Sequence, residues 1–259
     1  MIGNYDPVKR EILKNFIFGI TAAWALIVFV ITMLLVALPI WFIGIYPEPK
    51  RTECFRQISK VWMQVFFFLC GCRLKVFGKE SFKPGKVYIV TCNHNSLLDI
   101  PVSTPFIPGT NKTIAKAEMA KIPLFGLIYK RGSVLVDRSD KKSRQDSFKK
   151  MKHVLEMGMH MCIYPEGTRN KTNLPLKEFH DGAFRLARET GVSIIPAVIL
   201  NTKKILPARK KFYFRPGNIE IHFLPAVVPD EDGDFLRLKE KVHRIMNDYL
   251  LENGKWQQV

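Results

Sequence analysis

The chain has 259 residues, with 40 Lys and Arg against 23 Asp and Glu, a formal net charge of +17. That length holds a membrane anchor and one catalytic domain with its own core, and so strong a basic excess calls for a polyanionic partner: nucleic acid, anionic lipid headgroups or an acidic carrier protein. The five cysteines, Cys54, Cys70, Cys72, Cys92 and Cys162, are odd in number and lack the spacing of a disulfide framework or a zinc site; they read as buried thiols in a reducing, cytoplasmic setting.

The first feature along the chain is Phe16 to Tyr46, 31 residues without a charge. As straight helix this run would reach about 46 Å, against a hydrocarbon core of about 30 Å. It is too long for one upright span and too short for two. Pro39 and Gly44 lie inside it, so a break or bend near Pro39 is expected. Lys9, Arg10 and Lys14 precede the run and Lys50, Arg51, Arg56 and Lys60 follow it. The positive-inside rule then gives no orientation for a single span. The simplest reading is a hairpin or re-entrant anchor whose two ends both stay in the cytoplasm. Residues 1–52 are accordingly assigned to an N-terminal membrane anchor (hairpin, re-entrant or single span), and 53–259 to an α/β catalytic domain. Lipid is favoured over nucleic acid as the polyanion.

Next comes a region containing Val61–Cys70, VWMQVFFFLC, too short to span a bilayer and read as an interfacial or core helix. Density of β-branched and aromatic residues then marks strands at Lys86–Thr91, Thr113–Ala115, Ser133–Val136, Met161–Tyr164, Ser193–Leu200 and Ile219–Phe223. Helical periodicity with start and stop signals marks Asp140–Met157, Phe179–Thr190 and Asp234–Leu251. Strands alternating with helices predict an α/β fold, a largely parallel sheet flanked by helices behind the N-terminal hydrophobic anchor. In such sheets ligands bind beyond the carboxyl ends of the strands, which directs attention to the loops there.

The first of these loops is Thr91-Cys92-Asn93-His94-Asn95-Ser96-Leu97-Leu98-Asp99-Ile100-Pro101. On a regular helix His94 and Asp99 would lie about 140° apart. With His94 in the loop and Asn95 or Ser96 capping the helix, Asp99 can fold back to the imidazole. A carboxylate on one ring nitrogen fixes the tautomer and makes the other a competent general base. No Gly-x-Ser-x-Gly elbow supplies a protein nucleophile, so the attacking hydroxyl belongs to a substrate. The plain structural alternative is a capping Asp beside a structural His. A second loop, Glu166-Gly167-Thr168-Arg169, joins exposed backbone N–H groups, a hydroxyl and a guanidinium into a phosphate cradle; alone, the same four residues read equally as a surface turn. Lys116 and Arg138 stand at strand ends, where a solvated basic face is the ordinary reading.

Together these stretches resemble the lysophosphatidic acid acyltransferase (PlsC-type) family of glycerolipid acyltransferases. The order of blocks is that family's: His-x4-Asp at Asn93–Asp99, Lys-x-Glu…Pro…Gly…Gly…Arg from Lys116 to Arg138, Glu-Gly-Thr-Arg at Glu166–Arg169, and an apolar-Pro block at Ile194–Val198. The resemblance covers Val87 to Ile199. It implies that His94 is the base on the acceptor hydroxyl and Asp99 its orienting partner. Lys116, Arg138 and Arg169 would hold the acceptor phosphate, Glu166, Gly167 and Thr168 would shape its site, and Pro196 would line a substrate channel. The donor would be acyl-CoA or acyl-acyl carrier protein, the acceptor lysophosphatidic acid, the product phosphatidic acid, with no metal or other cofactor. The enzyme would sit on the inner or cytoplasmic membrane with its catalytic domain in the cytoplasm. One departure is Asp181, where the family commonly has lysine, which raises the alternative of another acceptor such as a lyso-aminolipid; glycerol-3-phosphate is another. Outside this class stand a hydrolase using the His–Asp pair with water and a membrane-attached polyanion-binding protein.

Overall fold

The structure, a computed structural model, describes residues 7–137, 139–230 and 234–254. Its centre is a seven-stranded sheet built from β1 (Arg73–Phe77), β2 (Ile89–Cys92), β3 (Asn111–Lys116), β4 (Ser133–Val136), β5 (His160–Ile163), β6 (Ile194–Leu200) and β7 (Asn218–Phe223). The spatial order is β1-β7-β6-β2-β5-β3-β4. β2, β3, β4, β5 and β6 are parallel, while β7 pairs antiparallel with β6 and carries β1 parallel to itself. β2, β5 and β6 are buried along their whole length, as expected of central strands covered on both faces. The carboxyl ends of the five parallel strands therefore share one edge.

Helices cover both faces. On one side α5 (Lys141–Glu156), α6 (Gly182–Thr190) and α8 (Phe235–Asn253) pack Met151, Phe184, Leu186, Val242 and Met246 against Ile89, Met161, Ile194 and Val198. On the other, α2 (Lys50–Leu69) lays Trp62, Met63, Phe66 and Phe67 over Val90, Ile195, Ile219 and Ile221. Short helices α3 (Asp99–Ser103), α4 (Phe125–Arg131) and α7 (Thr202–Ile205) complete the set.

The N-terminal apolar run departs from the sequence expectation. It is one helix, α1 (Pro7–Phe42), which continues through Pro39 and ends three residues later in a 3₁₀ turn, Ile43–Ile45. Pro39 sits so near the end that the single hydrogen bond it removes does not interrupt the helix body. No hairpin forms within Phe16–Tyr46. Instead α1 packs antiparallel on α2: Trp62 Nε1 donates to Thr32 Oγ1 at 2.8 Å, Trp24 Nε1 to the Leu69 carbonyl at 2.9 Å, and Phe29 stacks on Trp62. Among the described residues α1 is the one helix long and apolar enough to cross a membrane, and its outward face exposes Phe16, Ile20, Ile27, Leu35 and Leu38.

The chain nevertheless touches the α/β body at two points, Phe18 within α1 and Gly44 just beyond it. The Phe214 amide donates to the Phe18 carbonyl at 3.1 Å. At the far end Gly44 lies so close to Arg131 that a Cβ there would meet Nη2 at 2.5 Å. Some 26 residues, about 39 Å of helix, thus lie along the domain instead of projecting from it.

β1, α4 and the single turn of α7 were not anticipated. β1 alternates exposed and half-buried residues, with Arg73 and Lys75 on an edge strand, where charge is common. α4 was hidden by Pro123, two residues ahead of it, and by Gly126 in its first turn.

Candidate active site

β2 delivers the chain into the catalytic loop, and Asn93 fixes its direction. The Asn93 amide donates to the Ile199 carbonyl at 3.0 Å and accepts from the Ile199 amide at 2.7 Å, so one buried side chain continues the sheet between β2 and β6. His94 follows with its side chain 16% exposed, at the edge of the protein surface.

The loop folds Asp99 back on His94 as the chemistry requires: His94 Nδ1 and Asp99 Oδ2 are 2.9 Å apart. The expected capping contact accounts for part of this. Ser96 Oγ accepts the Leu98 amide at 3.2 Å just ahead of α3, while the backbone amides of Asn95 and Ser96 donate to Asp99 Oδ2 at 2.6 and 2.7 Å, and Thr202 Oγ1 donates to Oδ1 at 2.6 Å. A fully buried carboxylate attracts every donor within reach, so it gathers the loop instead of being positioned by it. Ser96 Oγ meanwhile donates to the Leu206 carbonyl at 2.8 Å. With Asp99 on Nδ1, Nε2 is the ring nitrogen that Asp99 does not engage.

β5 supplies the second wall. Glu166 is buried; its Oε1 accepts the His94 amide at 2.7 Å and its Oε2 the Lys177 amide at 3.1 Å. The Asn170 amide donates to the His94 carbonyl at 2.6 Å, so the backbone of the base is held from both sides by the Glu166–Asn170 segment. Gly167 turns the chain at φ +71°, a left-handed conformation that favours glycine. The Thr168 hydroxyl takes a hydrogen bond from Lys177 Nζ at 2.6 Å. Arg169, half-exposed, lies between Thr168 and the residue bonded to His94.

The remaining expectations are placed less closely. Lys116 ends β3 on the same edge, two strands and about 10 Å from β2, exposed and with its amide donating to the Tyr129 hydroxyl. Pro196 is buried within β6, in register with Thr91 and below the loop. Arg138 lies outside the described residues. Asp181 belongs to another contact: it pairs with Lys239 at 2.8 Å and Arg185 at 3.6 Å, and Lys239 holds its carboxyl below the usual range. Its charge is met by α8 and α6, not by the His94 loop.

Sequence reasoning missed Thr202, Lys177 and Tyr164, whose ring lies 4.6 Å from that of His94 and whose hydroxyl pairs with Ser103. The signal for Thr202 was its place just past β6. The buried Cys92 thiol, 3.8 Å from Cys162, is pushed well above the ordinary value by that hydrogen bond and by burial, so it stays protonated and is not a competing nucleophile.

Burial raises the Glu166 carboxyl to about 7, against the opposing pull of the two amides it accepts. As pH falls through that value Glu166 takes a proton, and one oxygen turns from acceptor to donor facing an N–H. The hold on His94 then weakens. An acid limb near pH 7 is expected in kcat, with a loss of roughly tenfold, the size of one buried hydrogen bond. Glu166→Gln, which carries a permanent donor, should be slower at pH 8 and lack this limb. A pH–kcat profile of Glu166→Gln identical to the unsubstituted enzyme's would refute the assignment.

A family model described as Acyltransferase matches residues 73–200. The 1-acyl-sn-glycerol-3-phosphate acyltransferase of Helicobacter pylori (strain J99) is 33% identical over 84% of this chain and 90% of its own length. The enzymes of that name from Chlamydomonas reinhardtii and Cocos nucifera are each 30% identical, over 63% and 74% of this chain. This chain spans about half (49%) and 62% of the length of those two relatives. In fold it matches the crystal structure of the 1-acyl-sn-glycerophosphate (LPA) acyltransferase PlsC from Thermotoga maritima, with a TM-score of 0.76 at 21% identity over 95% of this chain and 99% of that one. With the His-x4-Asp and Glu-Gly-Thr-Arg blocks meeting at one strand edge and a relative matched over most of both lengths, the chain belongs to the 1-acyl-sn-glycerol-3-phosphate acyltransferase family.

Proposed function

We propose that the protein transfers a fatty-acyl group from acyl-CoA or acyl-acyl carrier protein to the sn-2 hydroxyl of 1-acyl-glycerol-3-phosphate, giving phosphatidic acid. The observation that carries this reading is a base without a protein nucleophile: His94 is braced by buried Asp99 and is partly exposed at the strand edge. His94 Nε2 takes the proton as the acceptor oxygen attacks the thioester carbonyl. The tetrahedral intermediate collapses, the C–S bond breaks, and the thiolate recovers the proton from the imidazolium, which Asp99 stabilises meanwhile.

Arg169 and Lys116 hold the acceptor phosphate at a fixed distance from Nε2, with Arg138 as a third cation. A charged hydrogen bond is worth about 1.5–3 kcal/mol, so Arg169→Ala should lower kcat/KM for lysophosphatidic acid about ten- to a hundredfold, mostly through the acceptor's KM. Arg169→Lys should recover only part of this, because an ammonium cannot reproduce a bidentate grip. An assay with labelled donor and a panel of acceptors is decisive. Preference for a phosphate-free lysolipid, or unchanged use of lysophosphatidic acid by Arg169→Ala, would remove the assignment. Hydrolysis of the thioester with no acceptor dependence would place the His–Asp pair in a hydrolase.

The contacts at Phe18 and at Gly44, just past the end of α1, support an unbroken anchor helix that lies along one bilayer face with both ends on the same side, and with the catalytic domain in the cytoplasm. Thiol labelling of cysteines placed at Lys9 and Lys60 is expected to proceed from the cytoplasmic side for both. Labelling from opposite sides means a crossing helix.

A further inference from the structure

The segment between β6 and β7 is strongly basic. From Thr202 to Gly217 it carries Lys203, Lys204, Arg209, Lys210, Lys211 and Arg215 and no acidic residue. Its root is in the active site, where Thr202 bonds Asp99 and the Leu206 carbonyl takes the Ser96 hydroxyl. Its far end is fastened to the anchor helix. The Phe214 amide donates to the Phe18 carbonyl, Thr21 Oγ1 donates to the Phe214 carbonyl, and the Phe18 and Tyr213 rings lie 5.0 Å apart.

The tip between these two attachments is exposed at Arg209, Lys210, Lys211 and Phe212. Phe212 is 64% exposed and its backbone stands at φ +49°, a conformation that bulky residues rarely adopt. In water an aromatic ring held outward beside three cations gains nothing. At a bilayer interface the ring is buried among acyl chains and the cations meet phosphates. The position agrees with this. Phe18 marks the level at which the charged first turns of α1, with exposed Lys9, Arg10 and Lys14, give way to the exposed apolar face at Phe16 and Ile20.

We propose that the tip Pro207–Tyr213 is a docking surface for anionic phospholipid bilayers, seating the mouth of the His94 site on the leaflet from which acceptor lipid arrives. Nucleic acid would also pair with the cations and stack on the ring, but the apolar face of α1 beside the tip offers such a chain nothing. The proposal does not depend on which lysolipid is acylated.

The test uses the full chain, diluted from neutral detergent into preformed vesicles of phosphatidylcholine with or without phosphatidylglycerol, and co-flotation reads the partition ratio. Each cation near an anionic surface contributes about fivefold, so replacing Arg209, Lys210 and Lys211 together by Gln should cut the anionic-over-neutral preference on the order of a hundredfold. The preference should also fall with added salt. Phe212→Asn, which tolerates a positive φ but removes the ring, should weaken binding to neutral vesicles and keep the salt-sensitive part. In Phe212→Trp, the difference emission over the unsubstituted protein should be quenched by brominated lipid. An unchanged preference in the triple variant overturns the proposal, as does a difference emission in Phe212→Trp that is quenched by aqueous acrylamide and not by lipid. Displacement by inorganic phosphate beyond that by chloride of equal ionic strength would make the tip a discrete phosphate site instead. If the triple variant slows turnover with an acyl-carrier-protein donor and leaves flotation unchanged, the tip contacts that acidic protein and the lipid assignment fails.

Discussion

His94→Ala is expected to lower kcat by about 10²–10⁴-fold, the range for a positioned general base, with the fold and membrane attachment intact. In the proposed mechanism the proton passes through the imidazole in both directions, and Asp99 cannot take its place: it is sealed beneath the ring with its two oxygens committed to four donors. Removal of the ring leaves those other donors on Asp99 and the Glu166 and Asn170 contacts to the backbone of residue 94, so the loop survives. Turnover with labelled acyl donor, beside an unchanged melting temperature, is the check. Near-normal turnover would mean that another group accepts the proton and that the proposed mechanism is wrong.

Asp99→Asn should be milder, roughly ten- to a hundredfold in kcat, and the hydrogen-bond pattern explains why. Oδ2 accepts three donors, from His94, Asn95 and Ser96, whereas Oδ1 meets only the Thr202 hydroxyl. An asparagine can place its oxygen at the three-donor position and turn its NH₂ to Thr202, whose hydroxyl can accept as well as donate. The geometry and the tautomer are then kept, and what disappears is the negative charge that steadies the imidazolium, worth about 1.5–3 kcal/mol. Thr202→Val in the same protein removes the acceptor for that NH₂ and leaves it buried without a partner. The double variant should therefore lose stability by about 1–3 kcal/mol as well as activity. Equal activity and stability in the single and double variants would show that Thr202 does not set the orientation of residue 99.

The central sheet was legible because its middle strands are buried on both faces, which forces unbroken apolar runs such as Ile194–Leu200. β1 escaped notice because an edge strand with Arg73 and Lys75 has no such run. The anchor was legible as an apolar segment but not as a shape. Nothing in Phe16–Tyr46 says that its partner is α2, since that pairing depends on Trp62 reaching Thr32, thirty positions away. In the site, His94, Asp99 and Glu166 stood out because each follows a strand at the carboxyl edge. The expected contact at Ser96 is there, its Oγ accepting the Leu98 amide, but pattern rules weigh side chains and gave no sign that the backbone amides of Asn95 and Ser96 would be claimed by a buried carboxylate. Thr202 and Lys177 act on residues far away in sequence, and neither residue type announces such a role.

The buried amide of Asn93 gives the catalytic loop an unusual mechanical standing. By pairing with both the N–H and the carbonyl of Ile199, it behaves as one more rung of the ladder between β2 and β6, beyond the last backbone pair at Cys92 and Ala197. Most loops open by local fluctuations that leave the core intact. This one cannot lift at its first residue without parting a rung in the middle of the sheet, so the position of His94 is renewed with each folding of the domain and is not searched for in each catalytic cycle.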